Sequence, residues 1–288
     1  VDVDDSAYTN EMARFCLELG ARFSCWLAVE HPDSWARLSE QLELTEGEAD
    51  AWEAIARHLV TGFDAERGIH EQFAGYFALE DVPLPPHAVG GLPMDVTLGR
   101  RVRETQVIKQ ADVVMLMRLL WDRFPPEVRA ANFHYYEPRT SHGSSLSPGI
   151  HALVAAKLRE TDLALRYFRF TAEIDLGNRM GNSSEGVHAA ALGSLWQAVV
   201  FGFGGIHVLE DGLLVDPAIP SAWGTLEFPF HYLGQRLRVT VTSTELAIEC
   251  PGAVPVRLGR EDLRELAPGS HRARCRGGTW TWVDSASP

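Results

Sequence analysis

The sequence predicts a mainly α chain with a β C-terminal domain, and three observations carry that prediction. Apolar residues recur at helical spacing through most of residues 7–204. Beyond Gly204-Gly205 the rhythm becomes short alternating runs with β-branched residues, such as Gln235-Arg-Leu-Arg-Val-Thr-Val-Thr242. The 288 residues are 45% hydrophobic and 23% charged, a globular balance with room for two domains and poor material for disorder. Two domains are expected, 1–204 and 205–288.

The elements follow in order. Ala7 to about Val29 carries apolar residues at Ala13, Cys16, Leu17, Leu19 and Phe23, a helical rhythm. Thr45-Glu-Gly-Glu48 has the capping-box pattern and opens a helix through Trp52, Ile55, Ala56 and Leu59. Residues 62–105 read as mostly irregular, with prolines at 83, 85, 86 and 93, and a loop of that length is usually functional. Val107 to Phe124 reads as a buried helix, apolar around most of its circumference. Pro125-Pro126 ends it and starts the next. Further helices are expected from Ser147-Pro148 to about Leu158, from Thr161 to Ile174, and from Val187 to Phe203. The last is rich in small residues (Ala189, Ala190, Ala191, Gly193, Ser194), which allow close helix–helix approach. Strands are expected at 235–242, 245–249 and 254–258, forming a small antiparallel β-sandwich.

Charge and cysteines exclude several classes. A net charge of −13 repels nucleic acid and anionic membrane. No run of eighteen apolar residues occurs, so no membrane span is expected, and no signal peptide is visible. The chain begins at Val1 rather than Met, and its natural N-terminus is expected to be missing. Cys16 and Cys25 lie roughly 13 Å apart along one helix, too far to bridge. Cys250–Cys275 stays geometrically open, beside the plainer expectation of buried free thiols in a cytoplasmic protein. No metal-ligand spacing and no cofactor motif stands out. Only two of the 26 basic residues are lysines, Lys109 and Lys157. A compact ammonium suits a confined polar pocket better than a planar fork does.

Four segments offer chemistry. Thr140-Ser-His-Gly-Ser-Ser-Leu-Ser147 places Ser144 and Ser145 just ahead of a helix N-terminus, where free N–H groups and the dipole favour an anion. The plainer alternative is a capping serine in a polar loop. Glu185-Gly-Val-His188 also lies at a helix start, and His188 is able to donate to a phosphate oxygen. Alternatively His188 is structural and Glu185 compensates the dipole. Lys109 and Gln110 are expected to open the buried helix. There a cation needs a ligand or a partner such as Asp112, or else snorkels to solvent. Tyr135-Tyr136-Glu137 supplies aromatic faces and a carboxylate, for a sugar site or for an ordinary core.

Five strings agree in order with one family. Asp5-Ser-Ala-Tyr-Thr-Asn10 is similar to its "NNAYTN" helix start, and Glu71-Gln-Phe-Ala-Gly-Tyr76 to its "EQF.GY" loop. Thr105-Gln-Val-Ile-Lys-Gln-Ala-Asp-Val113, Tyr135 to Ser147, and Gly181 to Gly205 follow. Over about residues 1–245 the chain resembles glycoside hydrolase family 65, the maltose, trehalose and kojibiose phosphorylases. The resemblance implies a C-terminal fragment: part of an (α/α)6 barrel followed by a small antiparallel β-sandwich. About seven of twelve barrel helices are expected, with the earlier barrel helices and a large N-terminal domain absent. It implies inverting phosphorolysis of an α-glucosyl disaccharide to β-glucose 1-phosphate, with inorganic phosphate as co-substrate and no other cofactor. Carried over by position, Ser144, Ser145 and His188 bind phosphate, and Lys109 and Gln110 bind the glucosyl unit. The family's general acid, a glutamate, falls before Val1, so no catalytic acid is assigned within the chain. The partners implied are the disaccharide, phosphate, the missing N-terminal part and a possible second copy. A family-65 hydrolase recruiting Glu137 or Glu185 as base, or an inert carbohydrate-binding fragment, are the alternatives.

Overall fold

The computed structural model describes residues 3–45, 47–84, 99–110 and 112–283; Pro85, Pro86 and Pro93 of the long irregular stretch lie outside them. The chain divides into two compact units. One is built from described residues up to 83, 99–107 and 112–139, the other from 84, 108–110 and 140–283.

In the first unit, α1 (Ala7–Glu30) starts at Ser6, whose hydroxyl accepts from the Thr9 N–H. Its fully buried positions are Ala7, Glu11, Ala21 and Ser24. Cys16 and Phe23, expected on the inner face, are exposed. α2 (Pro32–Gln41) was not anticipated. It buries none of its side chains fully, and its apolar signal is short, the half-buried Trp35 and Leu38 one turn apart, with Pro32 and Asp33 at its start. α3 (Glu48–His58) opens at Gly47 with no side-chain cap bond; of the predicted capping box only the return half forms, the Glu48 carboxylate accepting from the Thr45 N–H and hydroxyl, each at 3.0 Å. Trp52 of α3 lies against Gly20, where an added Cβ would come within 3.2 Å of its ring.

A two-residue hairpin, β1 (Phe63–Asp64) with β2 (Ile69–His70), follows. Asn132 staples it to α5 (Pro126–Tyr136), accepting from the His70 N–H at 2.9 Å and donating to the Gly68 carbonyl at 3.2 Å. Tyr136 donates to the His70 carbonyl, and Tyr76 to the Gln106 carbonyl at 2.6 Å. Tyr136 is therefore core, and Tyr135 is half-buried with its hydroxyl on Gln106. The predicted helix over 107–124 is shorter. α4 spans Asp112–Leu119, and a 3-10 turn covers Trp121–Arg123. Val107-Ile108 is apolar because it is buried extended chain, not helix.

In the second unit, Ile108 bridges Thr140 in parallel, and the Ser141 N–H donates to the Ile108 carbonyl at 2.8 Å. α6 (Ser147–Lys157) is buried at every position from Ser147 to Ala156. It packs on α7 (Thr161–Leu176) and α8 (Ala189–Gln197). The last turns of the predicted 187–203 helix wind as a π-helix over Ala198–Phe203. The described residues thus hold eight α-helices, where seven were expected.

Gly205, with φ +65°, turns the chain from helix to sheet; a Cβ there would meet the Asp216 carbonyl oxygen at 2.1 Å. Two sheets follow. The five-stranded one runs β11 (Thr279–Val283), β10 (Gly269–Arg276), β7 (Glu245–Cys250), β6 (Gln235–Val241), β5 (Leu226–Tyr232), all antiparallel. The four-stranded one runs β3 (Ile206–Val208), β4 (Leu213–Val215), β8 (Val254–Leu258), β9 (Leu263–Leu266). Its β4–β8 pair is parallel, Leu213 opposite Val256, which corrects the purely antiparallel expectation. Strands β5 to β7 form the long crossover that parallel pairing requires. Leu237, Val239, Val241, Ile248, Val256, Leu258 and Trp280 fill the core, joined by Val200 from the π-helix. Cys250 and Cys275 are free; opposite Cys250 lies Gly269, six residues and roughly 20 Å along β10 from Cys275. Cys16 and Cys25 are free and exposed, not buried. Among the described residues no helix is long and apolar enough to cross a membrane.

Candidate functional site

In the second unit the predicted anion ligands lie at the starts of two helices, α6 and α8. The loop that leads into α6 is anchored at its beginning, since Thr140, Ser141 and His142 are all buried. His142 takes a left-handed backbone, φ +52°. Its Nδ1 lies 2.7 Å from the Ser147 hydroxyl and its Nε2 3.2 Å from the Tyr167 hydroxyl. The His151 ring meets it edge-on at 4.6 Å and donates from Nδ1 to the Ser147 carbonyl at 3.0 Å. Burial, reinforced by His151, holds the His142 ring well below the usual histidine range. Burial likewise pushes His151 down to about 4. Both rings are neutral at pH 7.

Ser144 and Ser145 are half-buried in the turn between this anchor and α6. The Ser144 hydroxyl accepts from the Leu146 N–H at 3.3 Å, which leaves its own proton to donate outward. No side chain caps α6: its N-cap is Leu146, and Pro148 follows inside the first turn. The helix start therefore keeps unsatisfied N–H groups and the positive dipole end.

His188 is the N-cap of α8 rather than a residue of its first turn. Asp175, near the end of α7, grips it twice: Oδ1 lies 2.6 Å from Nδ1 and Oδ2 accepts from the backbone N–H at 2.9 Å. These donations from His188 hold the Asp175 carboxyl below the usual carboxylate range. A carboxylate on Nδ1 fixes the ring and presents Nε2. A protonated ring donates from Nε2 to a phosphate oxygen, and a neutral one accepts from a protonated phosphate.

One close crossing links the two helix starts. At Gly149 an added Cβ would lie 2.1 Å from the Ser194 Oγ, so α6 and α8 touch nearly backbone to backbone. Gly149 is the third residue of α6 and Ser194 the sixth of α8. At about 1.5 Å per residue, both helix starts lie within roughly 10 Å of the crossing.

Lys109 and Gln110 are exposed and precede α4 instead of opening it. The bridge at Ile108 still brings Lys109 to the loop: its stem is 3.7 Å from where a Gly143 Cβ would sit. The buried Ser141 hydroxyl lies at the same distance from that point and has no hydrogen-bond partner. Glu185 is exposed in a separate 3-10 turn, Ser183–Glu185, and not in the first turn of α8. Glu137 is half-buried in the 3-10 turn after α5, in the other unit. Sequence reasoning did not assign Asp175, His142, Ser147 or Tyr167. His142 stood inside the quoted motif, but its partners come from a later position and from a neighbouring helix. Among the described residues no group of three or more His, Cys, Asp or Glu is placed to hold a metal.

Residues 1–197 match the glycosyl hydrolase family 65 central catalytic domain, and residues 206–262 the C-terminal domain of the same family. The chain is 35% identical to a kojibiose phosphorylase of Caldanaerobacter subterraneus subsp. tengcongensis, over 86% of this chain and 32% of that protein. It is also 35% identical to an alpha,alpha-trehalose phosphorylase of Geobacillus stearothermophilus, over 83% of this chain and 31% of that one. A solved structure, "Putative kojibiose phosphorylase from human microbiome", superposes with a TM-score of 0.82 at 28% identity, covering 95% of this chain and 36% of that chain. The chain spans about a third of the length of the curated relatives it matches. With the catalytic-domain match extending over more than half of its residues, the chain belongs to glycosyl hydrolase family 65.

Proposed function

We propose that the chain is the C-terminal part of an inverting phosphorylase. The whole enzyme converts an α-glucosyl disaccharide and inorganic phosphate into β-glucose 1-phosphate and an acceptor sugar. The observation that carries the reading is the composition and setting of the 140–147 loop. It has hydroxyls ahead of an uncapped helix start and no carboxylate. An inverting hydrolase needs a carboxylate base to activate water, whereas phosphate arrives already anionic. Such a nucleophile needs holding, not deprotonation.

In this reading Ser144 and Ser145 donate hydroxyl protons to phosphate, the α6 start adds N–H groups, and His188 closes the site from α8. Holding the nucleophile in line with the anomeric carbon removes much of the entropic part of the barrier. Lys109 and Gln110 hold the glucosyl unit beside the loop. A glutamate outside residues 1–288 protonates the departing sugar oxygen. The helical part belongs to an (α/α)6 barrel completed by further chain, and the enzyme works in the cytoplasm, as a dimer in one assembly. Val187, Leu192 and Trp196, exposed at 68%, 49% and 52%, offer an apolar edge for that further chain.

The test is made on the full gene product. It is incubated with kojibiose, trehalose, maltose and nigerose, with and without inorganic phosphate, and β-glucose 1-phosphate is assayed. Phosphate-dependent release from one disaccharide is expected. Glucose release that ignores phosphate would sink the reading and direct attention to Glu137 and Glu185.

A further inference from the structure

We propose that His142 is a positioning residue of the phosphate site, acting through Ser147 to fix the turn that presents Ser144 and Ser145. The inference rests on the phosphorylase reading, and its test separates the two. Residues 142–147 form a six-residue loop whose ends are joined by one side-chain bond, His142 Nδ1 to the Ser147 hydroxyl at 2.7 Å. The two candidate ligands lie between those ends. The ring has nowhere else to go: it is 1% exposed, and Tyr167 and His151 pack on it with centroids at 4.9 and 4.6 Å. Its backbone adopts a positive φ, +52°, which is uncommon among residues other than glycine. Such a conformation persists only where the surroundings hold it.

The same bond shapes the helix start. The Ser147 hydroxyl, engaged by the ring, is taken out of competition for the first-turn N–H groups. Leu146 at the N-cap has no acceptor to offer them. The anion site stays open because the hydroxyl able to fill it is held elsewhere. Ring neutrality suits the arrangement: a neutral imidazole has one donor and one acceptor, and the hydroxyls of Ser147 and Tyr167 satisfy either tautomer.

The experiment compares three variants of the full gene product. Asparagine places an amide near the Nδ1 position and tolerates a left-handed backbone, so His142→Asn retains the link to Ser147. His142→Gln reaches toward Tyr167 and loses it. Ser147→Ala deletes the other end of the bond and introduces no new group. The expected result is a rise of about tenfold in the phosphate KM for His142→Gln and Ser147→Ala. The disaccharide KM should stay within about twofold, and His142→Asn should recover most of the phosphate affinity. A merely structural histidine predicts something else: lowered thermal stability in all three variants, with both KM values moving together or neither moving. That pattern, or equal phosphate KM values for the Asn and Gln variants, overturns the inference. Should His142→Gln fail to fold, Ser147→Ala against His142→Asn decides. A wild-type enzyme indifferent to phosphate refutes the phosphorylase reading itself and takes the positioning role with it.

Discussion

Gly149→Ala is the most informative single perturbation, because it acts at the contact between the two helices that carry the candidate ligands. The new Cβ would lie 2.1 Å from the Ser194 Oγ, 2.7 Å from its Cβ and 3.2 Å from its carbonyl carbon. Ordinary carbon contacts are about 3.5–4.0 Å, so the helices must part by roughly 1 Å. The hydroxyl does not swing away freely, since it donates to the Ala191 carbonyl at 2.9 Å. Overpacking a core costs about 1–3 kcal/mol, and this clash with backbone belongs at the upper end. Alanine gains about 1 kcal/mol over glycine within a helix. The net destabilisation is about 2 kcal/mol. Ser194→Gly removes the Oγ and Cβ and leaves only the 3.2 Å contact. A coupling of about 2 kcal/mol is therefore expected between the two substitutions. Urea unfolding of the wild-type, single and double variants, followed by far-ultraviolet circular dichroism, measures it. A Gly149→Ala protein as stable as the wild type, or strictly additive costs in the double variant, would refute the crossing geometry.

Three further outcomes are expected. Asp175→Asn should weaken phosphate binding about tenfold with little loss of fold, because the amide cannot accept both His188 N–H donors; unchanged phosphate affinity in a calorimetric titration would remove Asp175 from the site. Gly205→Ala adds a Cβ 2.1 Å from the Asp216 carbonyl oxygen at φ +65° and should cost about 4 kcal/mol or more. An unfolding midpoint close to the wild type's would contradict that turn. Acid should destabilise the second unit through His151. Its folded value, pushed down to about 4, lies below the unfolded one near 6.5, so the unfolded chain takes up the proton first. This contribution, about 3 kcal/mol, is fully present above about pH 6.5 and is lost as pH falls toward about 4. His142 shifts in the same direction. A stability profile that is flat between those limits would show the rings to be exposed or paired.

Local periodicity revealed much of this molecule. The helices at 7–30, 147–157 and 161–176 and the change to strands after Gly205 follow from patterns that a window of residues contains. The 107–124 segment misled because an apolar run without strict alternation reads alike as buried helix and buried extended chain. Only α4 and the short 3-10 turn at Trp121–Arg123 are helical there; Val107-Ile108 lies outside them, with Ile108 bridged to Thr140. The parallel β4–β8 pair left no trace in either strand, since direction is a property of the crossover. The site divides in the same way. The setting of Ser144, Ser145 and His188 beside helix starts was legible in the sequence, and their proposed role came from the match to the family's motifs. Asp175, thirteen residues before His188, and Tyr167, twenty-five after His142, were not legible. Their roles arise only when helices pack, and no residue type or spacing encodes that meeting.

The small residues of α8 connect these levels. Read in sequence, Ala189 to Ser194 is a stripe that permits close approach; in the structure Ala191 and Ser194 are its buried members, and Ser194 is the residue that meets Gly149 where α6 and α8 cross, while Ala189, Ala190 and Gly193 are exposed. If phosphate is held between the two helix starts, the crossing sets the separation of its ligands, and packing and affinity become coupled quantities. Substitutions divide accordingly. Gly149→Ala parts the helices, so it should lower stability and phosphate affinity together, and Ser194→Gly should restore both. Asp175→Asn leaves the crossing intact and frees only the ring, so it should lower affinity with stability nearly unchanged. Two independent anion contacts on unrelated helices would not behave this way: Gly149→Ala would then cost stability and spare affinity. The correlation between the two losses, measured across these variants, tests whether α6 and α8 act as one site.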